Sequence, residues 1–208
     1  MKLFTTPTAC SLAVDIVARE AGVPLQLVWV DVRAKKLKDG GDYFAVNPKG
    51  QVPALKTDGG ETLTEGPVIV QYLADMRPES GLMGHAGSMD RYRVMEWLNF
   101  ISTELHKGFT PLFRPTTPAE YRVLAIENLH KRFAWLDGVL AGRQFLHGDA
   151  FTAADAYCYT IVIWSRVHKI DLAAWPNLHA YIERMGQRES VKAALAAEQA
   201  EIASRPAA

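Results

Sequence analysis

Cys10 is the residue of this sequence with the plainest chemical potential. It follows the short apolar run Lys2-Leu3-Phe4-Thr5 and immediately precedes Ser11, where apolar residues begin to recur at helical spacing. A thiol at a strand-to-helix turn faces the positive end of the helix dipole and unpaired backbone N–H groups, and both favour the thiolate. An unperturbed cysteine titrates at about 8.5, so a modest downward shift raises the reactive fraction at neutral pH. A lone cysteine is more commonly a small buried apolar residue; the position here weighs for the reactive alternative. No second cysteine lies three residues away, so a disulfide made by Cys10 would be a mixed one with a small thiol. Cys158, flanked by Tyr157 and Tyr159, reads as core.

Three further constellations stand out. Glu65-Gly66 precedes a helical pattern carrying Val68, Ile69, Tyr72 and Leu73 on one side. A glycine there leaves N–H groups open to an anion, and Glu65 suits an ammonium group, although an acidic first turn also serves as plain dipole compensation. Between residues 89 and 109, Val94, Leu98, Ile101 and Leu105 form one buried face. At about 100° per residue, Asn99, Thr103, His106 and Lys107 fall together on the opposite side. That stripe is either a solvated face or a site for a small polar ligand, and spacing alone does not choose. Thr152 and Asp155 form a capping box at the start of the next long helix, which is a structural device worth about 1 kcal/mol. The remaining histidines show no metal-ligand spacing, so no metal site is expected.

The elements that must position these residues change character along the chain. Lys2–Thr5 and Leu25–Val32 read as strands, with a helix over Ser11–Ala21 between them. Residues 33–50 are polar and loop-like. Residues 52–56 and 62–63 form a hairpin through Asp58-Gly59-Gly60. Pro53 gives up a ladder hydrogen bond, which marks an edge or a strand start. A cis Val52–Pro53 bond is expected, leaving the Val52 backbone to pair with an extended peptide. Residues 78–88, punctuated by Pro78, Gly81, Gly84 and Gly87, form a linker. Beyond it strand signals vanish, and helices are expected over 89–109, 118–141, 152–169, 175–188 and 190–199. The fold class is therefore α/β plus all-α: a βαβ-ββα domain over residues 1–77, then an all-helical domain over residues 89–208.

Bulk composition narrows the function classes. Lys plus Arg and Asp plus Glu each number 23, so there is no basic surplus for nucleic acid. Two cysteines in 208 residues cannot build a disulfide framework. Pro7, Asp15 and Arg19 interrupt any leader-like apolar run, and no stretch nears the roughly 20 apolar residues that span a bilayer. A cytoplasmic protein is expected, with no membrane and no nucleic-acid partner.

Met1-Lys2-Leu3-Phe4, Ala9-Cys10-Ser11-Leu12, the run from Asp42 to Leu55 containing Asn47-Pro48-Lys49-Gly50-Gln51-Val52-Pro53, Leu63-Thr64-Glu65-Gly66 and the run from Thr103 to Leu112 form a recognisable set. Through these residues the chain resembles, from end to end, the bacterial beta-class glutathione transferases. The resemblance implies a thioredoxin-like domain followed by a helical bundle, assembled as a homodimer in detoxification. It implies that Cys10 approaches the glutathione sulfur, Val52 pairs with the tripeptide backbone, and Lys35 neutralises the glycine carboxylate. Glu65 and the Gly66 N–H would take the γ-glutamyl end, with Asn99, Thr103, Glu104, His106 and Lys107 completing the site. Two departures matter. Position 66 is serine in many relatives, so Gly66 offers only its backbone. Position 5 is often tyrosine in transferases, and Thr5 here shifts the weight onto Cys10 and the helix N-terminus.

The expected activity is conjugation of glutathione, a co-substrate and not a cofactor, to hydrophobic electrophiles. Cys10 and His106 are the expected catalytic residues, with thiol–disulfide or peroxidase activity through Cys10 as a companion. The electrophile would lie against Phe109, Phe113 and Trp164. The rival expectation is a transferase-fold protein that binds partners without useful catalysis.

Overall fold

The computed structural model describes residues 1–205. Its backbone falls into two compact units, residues 1–82 with the described chain from 188 onward, and residues 83–187. The last three positions of the expected helical domain, 206–208, lie outside the described residues.

In the first unit, β1 (Lys2–Thr5) pairs in parallel with β2 (Gln26–Asp31) across the crossover helix α1 (Leu12–Glu20). The hairpin β4 (Ala54–Lys56) and β5 (Thr62–Thr64) adds antiparallel strands, Leu3 standing opposite Leu55. A two-residue strand β3 (Lys36–Leu37) closes the other side, in the order β3-β2-β1-β4-β5. Residues 33–50, read as loop, thus hold this strand and a 3₁₀ turn at Tyr43–Ala45; both are too short to leave a periodic signal. Leu3, Val30 and Leu55 are fully buried, each worth about 1.5–3 kcal/mol in removed apolar surface.

Helix α2 (Gly66–Asp75) buries Ile69, Val70, Leu73 and Ala74. Val68 and Tyr72, which share a side with Ile69 and Leu73 in the sequence pattern, are exposed; the buried face is one residue around, because Val70 and Ala74 point inward.

The first unit is completed by the last helix, α9 (Glu189–Ala203), which packs on α1. The strand-poor pattern beyond residue 88 groups this segment with the helical domain. Polar contacts explain its return. Arg188 grips Glu20 with two hydrogen bonds of 2.8 and 2.9 Å, and Ser190 adds a third at 2.5 Å. Burial acts upward on Glu20, but Arg188 and Ser190 together hold its carboxyl below the usual range. Lys38 and Arg205 likewise pair with Glu201 at 2.6 and 3.1 Å.

The second unit is helical. Helix α3 (Met89–Phe100) starts at Ser88, whose hydroxyl accepts the Arg91 N–H at 3.2 Å. It runs through a π-helical turn at Ile101–His106 into α4 (Lys107–Phe113), which contains Pro111. Then come α5 (Ala119–Leu140), α6 (Ala153–Val162), the short α7 (Trp164–Val167) and α8 (Pro176–Gly186). The helix read as 89–109 therefore continues to Phe113 with a wider turn inside it, and the one read as 152–169 is two pieces. No helix among the described residues is long and apolar enough to cross a membrane.

Candidate functional site

The turn after β1 presents Cys10. Thr8 takes a left-handed conformation, φ 64°, which redirects the chain before the helix begins. Ser11, fully buried, accepts the Thr5 hydroxyl at 2.8 Å and ties the turn to the end of β1. Thr5 thus supports the turn from beneath, with no phenol at that position to reach a ligand. Cys10 is half-buried and outside any disulfide, and its Sγ lies 3.5 Å from the Val52 carbonyl oxygen.

The segment 49–53 links the expected residues of this unit. Lys49 Nζ pairs with Glu65 at 2.5 Å and donates to the Thr64 hydroxyl at 2.9 Å. The Gly50 carbonyl accepts from Lys35 Nζ at 2.7 Å. The Val52 carbonyl faces Cys10, the Val52–Pro53 bond is cis, and the Pro53 ring lies against Gly66. This segment is held from below by Tyr43 and Asn47, each donating to the Gln51 carbonyl at 2.7 Å. Burial pushes the Tyr43 hydroxyl up to about 12, so it remains a donor throughout the physiological range.

Lys35 and Glu65 both have positive φ, 57° and 70°. Non-glycine residues held there store backbone strain, of order 1–3 kcal/mol each, a feature that gathers at ligand sites. Glu65 caps α2 with Gly66 and Pro67 at its first turn, so the Gly66 N–H opens at the positive end of a ten-residue helix. A Cβ built on Gly66 would sit 3.7 Å from Pro53 Cγ, which is ordinary contact. The glycine is therefore not sterically required, and a serine fits.

In the helical unit the expected stripe divides. Val94, Leu98, Ile101 and Leu105 are buried as the spacing predicts, and Asn99, Thr103 and Lys107 are exposed. Thr103 bonds back to the Asn99 carbonyl at 3.1 Å. Glu104 pairs with Arg132 of α5 at 2.6 Å. His106 leaves the solvated stripe: it is half-buried, its Nδ1 lies 2.7 Å from the Tyr157 hydroxyl, and its ring meets Trp164 edge-on at 5.0 Å. Uniform stepping at the α-helical angle does not hold here, because the π-turn spans Ile101–His106.

Phe113 and Phe109 flank Trp164, with ring centroids 4.9 and 5.8 Å away. Phe109 is fully buried and Trp164 nearly so, whereas Phe113 is 46% exposed. Of the three rings expected to line an apolar pocket, only Phe113 offers substantial surface.

Thr152 and Asp155 form the capping box of α6. Asp155 Oδ2 accepts the Thr152 N–H and hydroxyl, both at 2.8 Å; Oδ1 accepts the Leu146 N–H and the Tyr181 hydroxyl, both at 2.9 Å. Cys158 on the same helix is fully buried, and burial pushes its thiol far above the ordinary range, which makes it inert. Among the described residues no group of three or more His, Cys, Asp or Glu side chains is placed to hold a metal.

Three features escaped the sequence reading. Lys49 lies inside a recognised run, but its pairing with Glu65 depends on the hairpin bringing Thr64 alongside. Tyr157, noted only as a neighbour of Cys158, is 2% exposed, yet its hydroxyl reaches His106. Glu198 and Glu201 are buried carboxylates on α9. Their signal is periodic: they continue the spacing of the buried Val191 and Ala194.

Known proteins match this arrangement at both units. The family model for the glutathione S-transferase N-terminal domain matches residues 9–76, and that for the C-terminal domain matches residues 100–189. Glutathione S-transferase GstA of Escherichia coli O157:H7 is 49% identical over 198 residues, covering 95% of this chain and 98% of the relative. A sphingomonad glutathione S-transferase complexed with glutathione superposes with a TM-score of 0.93 at 48% identity, covering 96% and 99% of the two chains. The bacterial beta-class enzyme of Sphingomonas chungbukensis superposes with a TM-score of 0.92 at 43% identity, covering 95% and 98%. The chain belongs to the glutathione S-transferase family, beside its bacterial beta-class members.

Proposed function

We propose that this glutathione transferase joins reduced glutathione to hydrophobic electrophiles, with Cys10 beside the reacting sulfur. The observation that carries the reading is the 49–53 segment, which touches Cys10, Lys35, Glu65 and Gly66 together. Glutathione offers complementary groups at matching intervals: a thiol, two carboxylates, an ammonium group and an extended backbone. Lys35 suits the glycyl carboxylate, the Val52 backbone the cysteinyl peptide, and Glu65 with the Gly66 N–H the γ-glutamyl ammonium and carboxylate. Lys49, now on Glu65, is the cation that a ligand ammonium would replace. Asn99, Thr103, Glu104, His106 and Lys107 are assigned to the same ligand by the family resemblance. A hydroxyl 2.7 Å from His106 Nδ1 suits an imidazole held in one orientation.

In the reaction the thiol proton passes to solvent base and the thiolate lone pair forms the carbon–sulfur bond. The leaving group departs with its bonding pair. The positive end of α1 and Cys10 favour the charged sulfur. The companion reaction is thiol exchange: the Cys10 thiolate attacks a glutathione disulfide, forms a mixed disulfide and releases one glutathione thiolate.

The exposed Val68, Tyr72 and Met76 on α2, and Met89 and Tyr92 on α3, are surface of the kind a second copy covers, which supports a homodimer. Two cysteines outside any disulfide support a reducing, cytoplasmic setting. No cofactor is assigned.

The test is a pair of proteins, wild type and Cys10→Ala, measured for retention on immobilised glutathione, conjugation of an aryl halide and disulfide reduction. Retention of the wild type is expected, and its absence overturns the reading. Loss of disulfide reduction with conjugation preserved in Cys10→Ala would assign the thiol to redox work and glutathione activation to the helix.

A further inference from the structure

The turn carrying Cys10 has a second anchor, on α9. The Thr8 N–H donates to Glu198 Oε2 at 2.9 Å. Glu198 is 6% exposed, and its other oxygen, Oε1, is buried with no hydrogen-bond partner. It stands in line with Val191 and Ala194, where an apolar residue would pack without cost. Desolvating a carboxylate to receive one N–H is a poor exchange for stability alone. The N–H it receives belongs to the left-handed residue two positions before Cys10.

We propose that Glu198 is a positioning residue for Cys10: through the Thr8 N–H it fixes the left-handed turn that delivers the thiol to the start of α1, and its ionisation sets how firmly that turn is held. The proposal rests on Cys10 being the reactive group of the glutathione site.

The surroundings tune the anchor towards neutrality. Burial lifts the Glu198 carboxyl to about 7, against the Thr8 hydrogen bond, and Asp15 on α1 pushes in the same direction as burial. Asp15 is itself buried and paired with Arg19 at 3.0 Å. Glu201, on the same helix, is engaged by Lys38 and Arg205. The turn Thr6-Pro7-Thr8-Ala9 brings no charge of its own. An ionised carboxylate is the stronger acceptor, so the anchor tightens as pH rises through this range and slackens below it.

The experiment is alkylation by iodoacetamide between pH 5.5 and 9, without glutathione, on the full chain. Mass spectrometry of the Cys10 peptide separates it from the buried Cys158. The wild-type log rate is expected to show an inflection near neutrality besides the thiol's own titration. Glu198→Gln keeps a neutral, weaker acceptor and cannot ionise, so it should lose the inflection and react at pH 8 more slowly than wild type but faster than Glu198→Leu. Glu198→Leu should react about threefold more slowly at pH 8, the rate equivalent of one weak hydrogen bond. A wild-type profile without the inflection, its survival in Glu198→Gln, or an unchanged rate in folded Glu198→Leu overturns the proposal. If Glu198→Leu does not fold, the Glu198→Gln profile decides alone. A wild type that shows the inflection but is not retained on immobilised glutathione sinks the proposed function and leaves the anchor standing.

Discussion

Asp155 and Glu198 are both buried carboxylates, one in each compact unit, and they are satisfied to very different degrees. Asp155 sits at the start of α6 with four hydrogen bonds shared over its two oxygens. Burial still lifts its carboxyl, with those four donors pulling downward. Glu198 is given one backbone N–H and an orphan oxygen. The first arrangement stitches a helix start to Leu146 and to Tyr181 of α8, and it concerns stability. The second carries a deficit and holds Thr8, two residues before Cys10. Most buried polar groups are paired, and an acidic oxygen left without a partner next to a candidate site invites a reading beyond stability.

The largest expected effect breaks the satisfied member. Asp155→Ala strands two backbone N–H groups and two hydroxyls, and urea unfolding should show a loss of about 4 kcal/mol. A loss below about 1 kcal/mol would remove the contrast.

Glu198→Gln tests the other side through pH. The folded carboxyl titrates at about 7 and the unfolded one at 4.5. The folded state therefore binds the proton more tightly between these values, and wild-type stability falls as pH rises across that window. At about 1.4 kcal/mol per unit, Glu198→Gln should be up to about 3 kcal/mol more stable than wild type at pH 8 and equal to it below pH 4.5. Parallel stability curves across this window would refute the assignment. Ionising Glu198 thus weakens the fold while it strengthens the hold on Thr8.

Glu65→Ala should weaken glutathione binding about tenfold by calorimetry, the loss of one charge-assisted hydrogen bond. It should barely alter the melting temperature, because the Lys49 pair is exposed. A stability effect as large as the binding effect would make Glu65 structural. Gly66→Ser adds the hydroxyl that the space beside Pro53 admits, and should tighten glutathione by about fivefold. Unchanged or weaker binding would mean the hydroxyl does not reach the ligand.

The parts of the molecule legible in the sequence are those governed by local rules. The strands at Lys2–Thr5 and Gln26–Asp31, the hairpin through Asp58-Gly59-Gly60 and the capping box at Thr152 each depend on a few neighbouring residues. The same holds for Cys10 at the head of α1. What was not legible depends on distant partners. Nothing within residues 189–203 announces that they pack on α1; Glu20, Lys38 and Thr8 supply the reason. The π-turn and the burial of Phe109 arise from how α3 and α4 pack in the helical unit, which single-helix periodicity does not encode. Lys35 is reached through family likeness alone, because its positive φ and its bond to Gly50 depend on the surrounding fold and leave no local signal.

The discontinuity of the first unit bears on how the protein is made. A chain leaves the ribosome N-terminus first, at about 5–20 residues per second. β1, α1 and the hairpin emerge early, but the helix that covers α1 follows more than a hundred residues later. During those seconds the apolar back of α1 is without its cover, and the Cys10 turn lacks the carboxylate that pins it. The helical unit, continuous in sequence, can complete itself in the interval. The turn that carries Cys10 is thus completed only after the whole helical unit has been made.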